Sequence, residues 1–422
     1  MTSGKRLALS IHRYVGLVMA VFLITAGLTG TVLAFHREID AALNPDLMQV
    51  SRPPGVERLE AFELQRRVLP QLPEGHAPRT VTFEPEHGDV VRFWSEGPDE
   101  RWLEVFVDPY RGAVLGSRDW DDYSAGTRSL IPFMYRLHYS LALGEVGTFL
   151  FGIVALLWTV DCFVGAYLTF PAPCRTPAPR QGAVRRWLRR WVPAWLVRGT
   201  TRFGLVFTWH RASGLWVWAM LFVFAWSAVG LNLRPVYRPV MAVMTGMTPS
   251  VHDALPRLDP PHPPPRLSLQ EAHAFGRTHV AEQAEARGFS IERELWLTYA
   301  ADHGVFIYCV ESSLDLSRTS PRTEVYFDGT DGHFVGFDAP TGIRAGNTIS
   351  NWLMALHFGA VGGLPYRLFV AVMGLVVAAL SVTGVWIWWR KRSKRSLGGR
   401  MSRVTPSRLR RWPRRVVNRT TM

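Results

Sequence analysis

The chain has 422 residues, a formal net charge of +14, 48% hydrophobic and 19% charged residues, and three cysteines. That composition excludes a disordered chain, and three cysteines exclude a disulfide framework. There is no Cys-x-x-Cys-His run for covalent haem attachment, and no Gly-x-Gly-x-x-Gly or Gly-x-x-x-x-Gly-Lys loop that would mark a built-in nucleotide domain.

Mean hydropathy is near zero only because the apolar residues come in blocks. Four blocks, near 14–35, 148–170, 203–233 and 368–389, are long enough to cross about 30 Å of hydrocarbon. A cleaved signal peptide is the rival reading of the first. Its apolar run exceeds a usual h-region and no small-x-small site follows before His36, so a retained span is expected.

Charge gives the orientation. Residues 1–13, 172–203 and 390–422 hold three, eight and thirteen Lys or Arg and no Asp or Glu. The rest of the chain then has 24 basic against 34 acidic residues, a net −10. The positive-inside rule places both termini and the 172–203 loop in the cytoplasm and the two large acidic segments outside. Because the positive charge follows the membrane flanks, no nucleic-acid partner is expected, and membrane lipids are. Trp187, Leu188 and Trp191 share a face of a helix expected before Pro193, either lying among lipid headgroups or part of a plain basic loop.

The extracytoplasmic segments read as α+β modules. The first has a helix-like stretch at 56–69 and strand-like runs at 79–83, 90–94, 102–107 and 113–115. The second has a helix at 269–287 and strand-like runs at 291–298, 305–311, 323–327 and 333–337. The Pro-rich run 260–265 reads as a linker.

The chain also repeats itself. His12-Arg13-x-x-Gly16-Leu17 recurs as His210-Arg211-x-x-Gly214-Leu215, 198 residues later. Leu137-His138, Gly144 and Gly165 recur as Leu356-His357, Gly363 and Gly384, 219 residues later. Each half is thus helix, module, helix, and two helices per half make the repeats parallel.

The runs Val-Asp-Pro-Tyr-Arg-Gly-Ala-Val-Leu-Gly (107–116) and Phe-Asp-Gly-Thr-Asp-Gly-His-Phe-Val-Gly (327–336) resemble the ends of PepSY domains. His-Arg-Tyr-Val-Gly-Leu (12–17), Leu-Thr-Gly (28–30), Leu-His-Phe-Gly (356–359), Gly-Leu-Pro (363–365) and Thr-Gly-Val-Trp-Ile-Trp-Trp (383–389) resemble the PepSY-associated transmembrane family. The resemblance covers roughly residues 5–395 and includes siderophore-iron reductases. It implies a Gram-negative inner membrane, periplasmic loops, bound b-type haem and reduction of ferric siderophores.

The expected fold class is an α-helical membrane protein with α+β extracytoplasmic domains, its four transmembrane helices forming two parallel repeats. The expected boundaries are 1–36 for the N-terminus and first span, 37–137 for the first periplasmic PepSY-like domain, and 138–171 for the second span. They continue with 172–202 for the basic loop, 203–233 for the third span, 234–356 for the second PepSY-like domain, 357–390 for the fourth span and 391–422 for the basic tail.

Thirteen histidines are present. His76, His87, His252, His262, His273, His279, His303 and His333 read as surface or turn residues. Five lie at helix ends: His12, His36, His138, His210 and His357. Haem iron can be held by two neutral imidazoles from facing helices, and the repeat supplies such pairs. His12/His210 near the cytoplasmic side and His138/His357 on the other are the expected axial ligands of two haems b. His36 aligns with Arg234, leaving a propionate contact, a surrogate ligand or an interfacial residue. His12 and His36 are 24 residues apart, about 36 Å of helix, too far for one helix to clamp stacked haems.

Gly16 and Gly214 follow their histidines by four, leaving room for a flat macrocycle or for close helix packing. Arg13 and Arg211 suit propionates or lipid phosphate. Asp161, inside a span, is expensive there. It reads as a proton acceptor, a bond to a ligand, or a protonated acid on a backbone carbonyl. Cys162, Cys174 and Cys309 read as structural thiols, and Trp209/Trp216/Trp218 and Trp386/Trp388/Trp389 as belt residues. The leading function is outward electron transfer to periplasmic ferric iron held by a siderophore, fed by an unknown external electron donor. A PepSY-based regulator and a transport accessory without redox chemistry are the rivals.

Overall fold

The computed structural model describes residues 3–74, 76–78, 80–84, 90–96, 102–172, 182–259, 265–317 and 321–401. His87, His262, Cys174, all but Pro265 of the Pro-rich run, and the basic tail beyond 401 lie outside them.

Helix α1 (Ser3–Leu33) turns into α2 (His36–Leu43) and α3 (Pro45–Met48). The first α+β module holds α4 (Ala61–Val68), β1 (Ala77–Pro78), β2 (Thr80–Thr82), β3 (Val91–Glu96), β4 (Trp102–Val107) and β5 (Val114–Asp119). Then come α5 (Leu130–Ser140), α6 (Gly144–Thr169), α7 (Ala183–Trp191), α8 (Arg202–Trp216) and α9 (Trp218–Asn232). The second module follows α10 (Arg234–Thr245) and α11 (Val251–Ala254), and holds α12 (Leu269–Arg287), β6 (Ile291–Ala300), β7 (Val305–Ser312), β8 (Thr323–Asp328) and β9 (Phe334–Asp338). Helices α13 (Ala345–Phe358) and α14 (Gly363–Met401) complete the described chain.

Among the described residues, three helices, α1, α6 and α14, are long and apolar enough to cross a membrane. The remaining expected span is a broken pair, α8 and α9, which meet at 69°. The break lies just after Ser213-Gly214. The Ser213 hydroxyl donates to the Trp209 carbonyl one turn back at 2.7 Å. A back-bonded Ser beside a Gly is a recognised source of a kink.

Helix α1 lies along α14, and α6 along α9. The first contact is very close. A Cβ on Gly27 would stand 2.5 Å from the Gly374 carbonyl oxygen, and one on Gly374 would stand 2.5 Å from that of Gly27. Thr31 Oγ1 adds a bond to the Ala371 carbonyl at 3.0 Å. Small residues permit such backbone approach in membranes. Gly374→Val is therefore expected to separate the two helices. Overpacking costs about 1–3 kcal/mol where side chains can yield, and here the obstacle is backbone. Thermal unfolding in detergent checks this: the Tm should fall clearly, and an unchanged Tm would contradict the contact.

Both sheets are antiparallel. The first runs β1-β3-β4-β5 and the second β2-β6-β7-β8-β9. In each, a helix covers one face. Leu64 and Val68 of α4 pack on Phe93, Val105 and Val107, and Ala272 and Val280 of α12 pack on Phe306, Tyr308 and Phe327. A short helix covers the other face, with Leu47 against Phe106 and Val251 against Ile307 and Tyr326.

Two expectations need correction. The run at 79–83 does not join the first sheet. Its core, β2, pairs with β6 of the second through Thr80↔Thr298, Val81↔Leu297 and Thr82↔Trp296, and Val81 is fully buried there. A three-residue strand is placed by the edge that accepts it. Second, the expected boundaries 137/138 and 356/357 fall inside α5 and α13. Helix α5 ends in a left-handed turn at Leu141 and Ala142, and α13 at Gly359, so the following spans begin at Gly144 and Gly363. Beyond the spans, α1 and α9 lead into amphipathic helices α2 and α10.

Candidate functional site

The four histidines of the repeat meet in two pairs. The rings of His12 (α1) and His210 (α8) have centroids 6.3 Å apart at an interplanar angle of 63°. Those of His138 (α5) and His357 (α13) are 6.4 Å apart at 90°. The second pair rides in the last turns of the short helices before α6 and α14, rather than on the spans themselves.

Two imidazoles on opposite sides of one metal ion, each bonded at about 2.0–2.1 Å, hold their ring centres roughly 6–6.5 Å apart. Simple edge-to-face contact covers the same range, about 4.5–7 Å. The hydrogen bonds separate the two cases. His138 Nδ1 lies 3.0 Å from Thr29 Oγ1, His357 Nδ1 lies 2.6 Å from Ser227 Oγ, and His210 Nδ1 lies 3.0 Å from Thr383 Oγ1. Each hydroxyl already donates to a carbonyl one turn back: Thr29 to Thr25 at 2.7 Å, Ser227 to Val223 at 2.6 Å, Thr383 to Ala379 at 2.7 Å. With its proton committed, each hydroxyl oxygen must accept from Nδ1–H. His12 Nδ1 meets both Asp161 oxygens, at 3.0 and 2.9 Å, and a carboxylate also accepts. Each of the four rings thereby engages its Nδ1–H, which leaves Nε2 as the nitrogen available to a metal. That is how metal-ligating histidines are held.

Glycines give the rings room. A Cβ on Gly165 would lie 3.5 Å from His12 Cε1, one on Gly384 3.4 Å from His210 Cε1, and one on Gly30 3.0 Å from His138 Cε1. Gly16, one turn from His12, faces open space: a Cβ there meets nothing within 4 Å. An apolar recess of about 420 Å³ borders Thr383, walled by Val206, Trp209, Ala379 and Val382. This donor set, with small residues at the rings and apolar walls nearby, fits haem b.

Thr29 and Ser227 were not singled out from sequence. The signal was present, because they stand 198 residues apart, the offset of His12 and His210. Gly165 and Gly384 approach the rings, whereas a Cβ on Gly214 would lie 3.9 Å from Leu380 Cδ2. Asp161 bonds a histidine side chain across the bundle, not a neighbouring carbonyl. Arg211 donates to the carbonyls of Ala194 and Pro193 at 3.1 and 2.8 Å, so it anchors the segment after α7.

His36 meets no second histidine among the described residues. Its Nδ1 donates to the Leu33 carbonyl at 2.8 Å and its ring stands 5.5 Å from Tyr135. Burial, with Arg37 and Arg92 nearby, outweighs the Leu33 carbonyl and holds its pKa below the ordinary histidine value. Tyr135 sits one turn before His138. From it a row of rings leads outward, to Trp120 at 5.7 Å and on to the exposed Trp94 at a further 5.3 Å.

The other histidines serve the modules. His273 Nε2 bonds Glu294 at 2.7 Å and its ring stacks on Phe83 at 4.4 Å, so it is a bridge and not a surface residue. His279 Nε2 donates to the Gly332 carbonyl at 2.9 Å, and His252 packs on His303 at 4.7 Å. Asp328, Asp331 and His333 cluster at an exposed turn. There Asp328 accepts from the Thr330 and Asp331 amides, so the turn itself accounts for the cluster.

A family model described as the PepSY-associated TM region matches residues 9–391. No curated protein matches the chain.

Proposed function

We propose, from the premise that this chain belongs to the PepSY-associated transmembrane family, that it is an inner-membrane haem protein passing electrons outward to ferric iron. The four-span, two-repeat layout is part of this proposal. Its support is the packing: α1 with α14 is matched by α9 with α6, α1 with α6 by α8 with α14, and α1 with α5 by α9 with α13. Exchanging the halves turns each of these three contacts into its partner, although the α5–α6 contact has no comparable α13–α14 equivalent. The flanking positive charge supports cytoplasmic termini and periplasmic modules.

The observation that carries the reading is the two imidazole pairs with every Nδ1–H already engaged. His12 and His210 would hold one haem b, His138 and His357 the other. Bound haem supplies a one-electron carrier. The chain's own residues do the rest. Thr29, Ser227, Thr383 and Asp161 fix the tautomers and aim the rings. Apolar walls keep water away. The rings of Tyr135, Trp120 and Trp94 cover the way from the His138 helix to the periplasmic surface.

Ferric iron in a siderophore is the proposed substrate, docking between the two modules above His138 and His357. Hard oxygen chelators hold ferric iron far more tightly than ferrous, so one electron releases the metal. The electron donor is external.

The test is an absorbance spectrum of the detergent-purified protein, oxidised and then dithionite-reduced, with haem quantified. Sharp reduced α and β bands and about two haems per chain are expected. No haem, even after expression with added haem, would overturn the reading and leave a regulatory or transport-accessory role.

A further inference from the structure

The two pairs differ in one respect. Three of the four histidines give Nδ1–H to a neutral hydroxyl, while His12 gives it to the carboxylate of Asp161 at 2.9 and 3.0 Å. Asp161 is 8% exposed, on an apolar stretch of α6. Its counterpart in the other half, 219 residues later, is Leu380. A lone carboxylate in this setting is costly and needs a reason.

Resting on the haem reading above, we propose that Asp161 is a positioning residue that makes the His12/His210 pair the more reducing of the two, so that electrons run from it to His138/His357. Two effects act together. A carboxylate accepting Nδ1–H makes Nε2 a stronger donor. Its negative charge also favours ferric over ferrous iron beside it, and in a low-dielectric site that preference is large. The hydroxyls at the other pair carry no charge. Along α1, His12 and Thr29 are about 26 Å apart at 1.5 Å per residue, so the carboxylate acts mainly on the near pair. The transfer balances. With haem held by both pairs, the His12/His210 site would give up one electron, the His138/His357 site would take it, and the external donor would restore the first.

The experiment is a potentiometric titration of the full-length protein in detergent, followed at the reduced α band. Wild type should titrate in two steps. Asp161→Asn should raise the lower step and leave the upper one in place. A tenfold rise in the ferrous-to-ferric ratio at fixed potential, the size expected, is 59 mV for one electron. Asp161→Glu should keep the low potential. If Asp161→Asn retains a single haem, that haem should titrate at the upper potential. A single wild-type step, an unmoved lower step in Asp161→Asn, or a lone retained haem at the lower potential would each overturn the inference. Absence of haem from wild type fails the function itself and is seen before any titration.

Discussion

His357→Ala is expected to cut bound haem from about two per chain to one. The His357 ring stands 6.4 Å from His138 and 5.2 Å from Phe224, with Nδ1 on Ser227. On the haem reading, truncation would leave His138 as a single ligand. The His12/His210 pair lies near the other end of α1 and keeps all of its contacts. The reduced α band should therefore fall by about half without broadening. His210→Ala should remove the other half, and the double variant should bind none. His357→Met separates ligation from folding. A thioether can take the axial position and raise the potential, so this variant should keep haem and titrate higher. His252→Ala, within a module, should keep both haems. Pyridine haemochrome quantification of each purified variant is the check, and an unchanged haem content in His357→Ala would defeat the assignment.

Arg118→Ala is expected to cost about 3–5 kcal/mol, the penalty for breaking a buried ion pair by removing one partner. Arg118 is 5% exposed, Asp40 3% and Glu104 fully buried. The guanidinium bonds Glu104 at 2.7 Å and Asp40 at 3.0 Å. Burial alone would lower the Arg118 pKa, but the two carboxylates override it and raise it. The cluster ties α2, the extension of the first membrane helix, to β4 and β5. Its loss leaves buried Asp40 to the Asn44 amide and Glu104 to Arg92 and the Trp120 indole, and it loosens the module from the membrane helix. The measured Tm should fall steeply. Arg118→Met combined with Asp40→Leu and Glu104→Met should recover much of the loss, because apolar replacement of a whole buried cluster is often neutral. Recovery stays incomplete, since Trp120 Nε1 and Arg92, which donate to Glu104 at 2.9 and 3.2 Å, then lose that acceptor. A Tm within a degree of wild type for Arg118→Ala would show that the cluster holds nothing together.

Local signals make much of this protein legible in its amino-acid sequence. Helix α12 runs from Leu269 to Arg287 as expected, because a capping box of Ser268 and Glu271 starts it and a left-handed Gly288 ends it. The long apolar runs mark α1, α6 and α14, since hydrocarbon thickness sets a length that composition alone reveals. The histidine pairs are legible because the chain repeats, and equal offsets put equivalent residues on equivalent faces.

What escapes such reading depends on contacts between distant parts of the chain. Thr80–Thr82 has strand character, but only the free edge of β6 decides which sheet it joins. Asp161 and His12 are 149 residues apart, and no periodicity connects them. The Ser213-Gly214 kink could have remained a straight helix under other packing. Long apolar segments, module starts and the equivalence of histidines are written locally, because spans, caps and repeats are properties of neighbouring residues. Which nitrogen of each ring is engaged, and which pair carries a charge beside it, is settled in three dimensions, because both follow from how α1, α8 and α9 pack against α5, α6, α13 and α14.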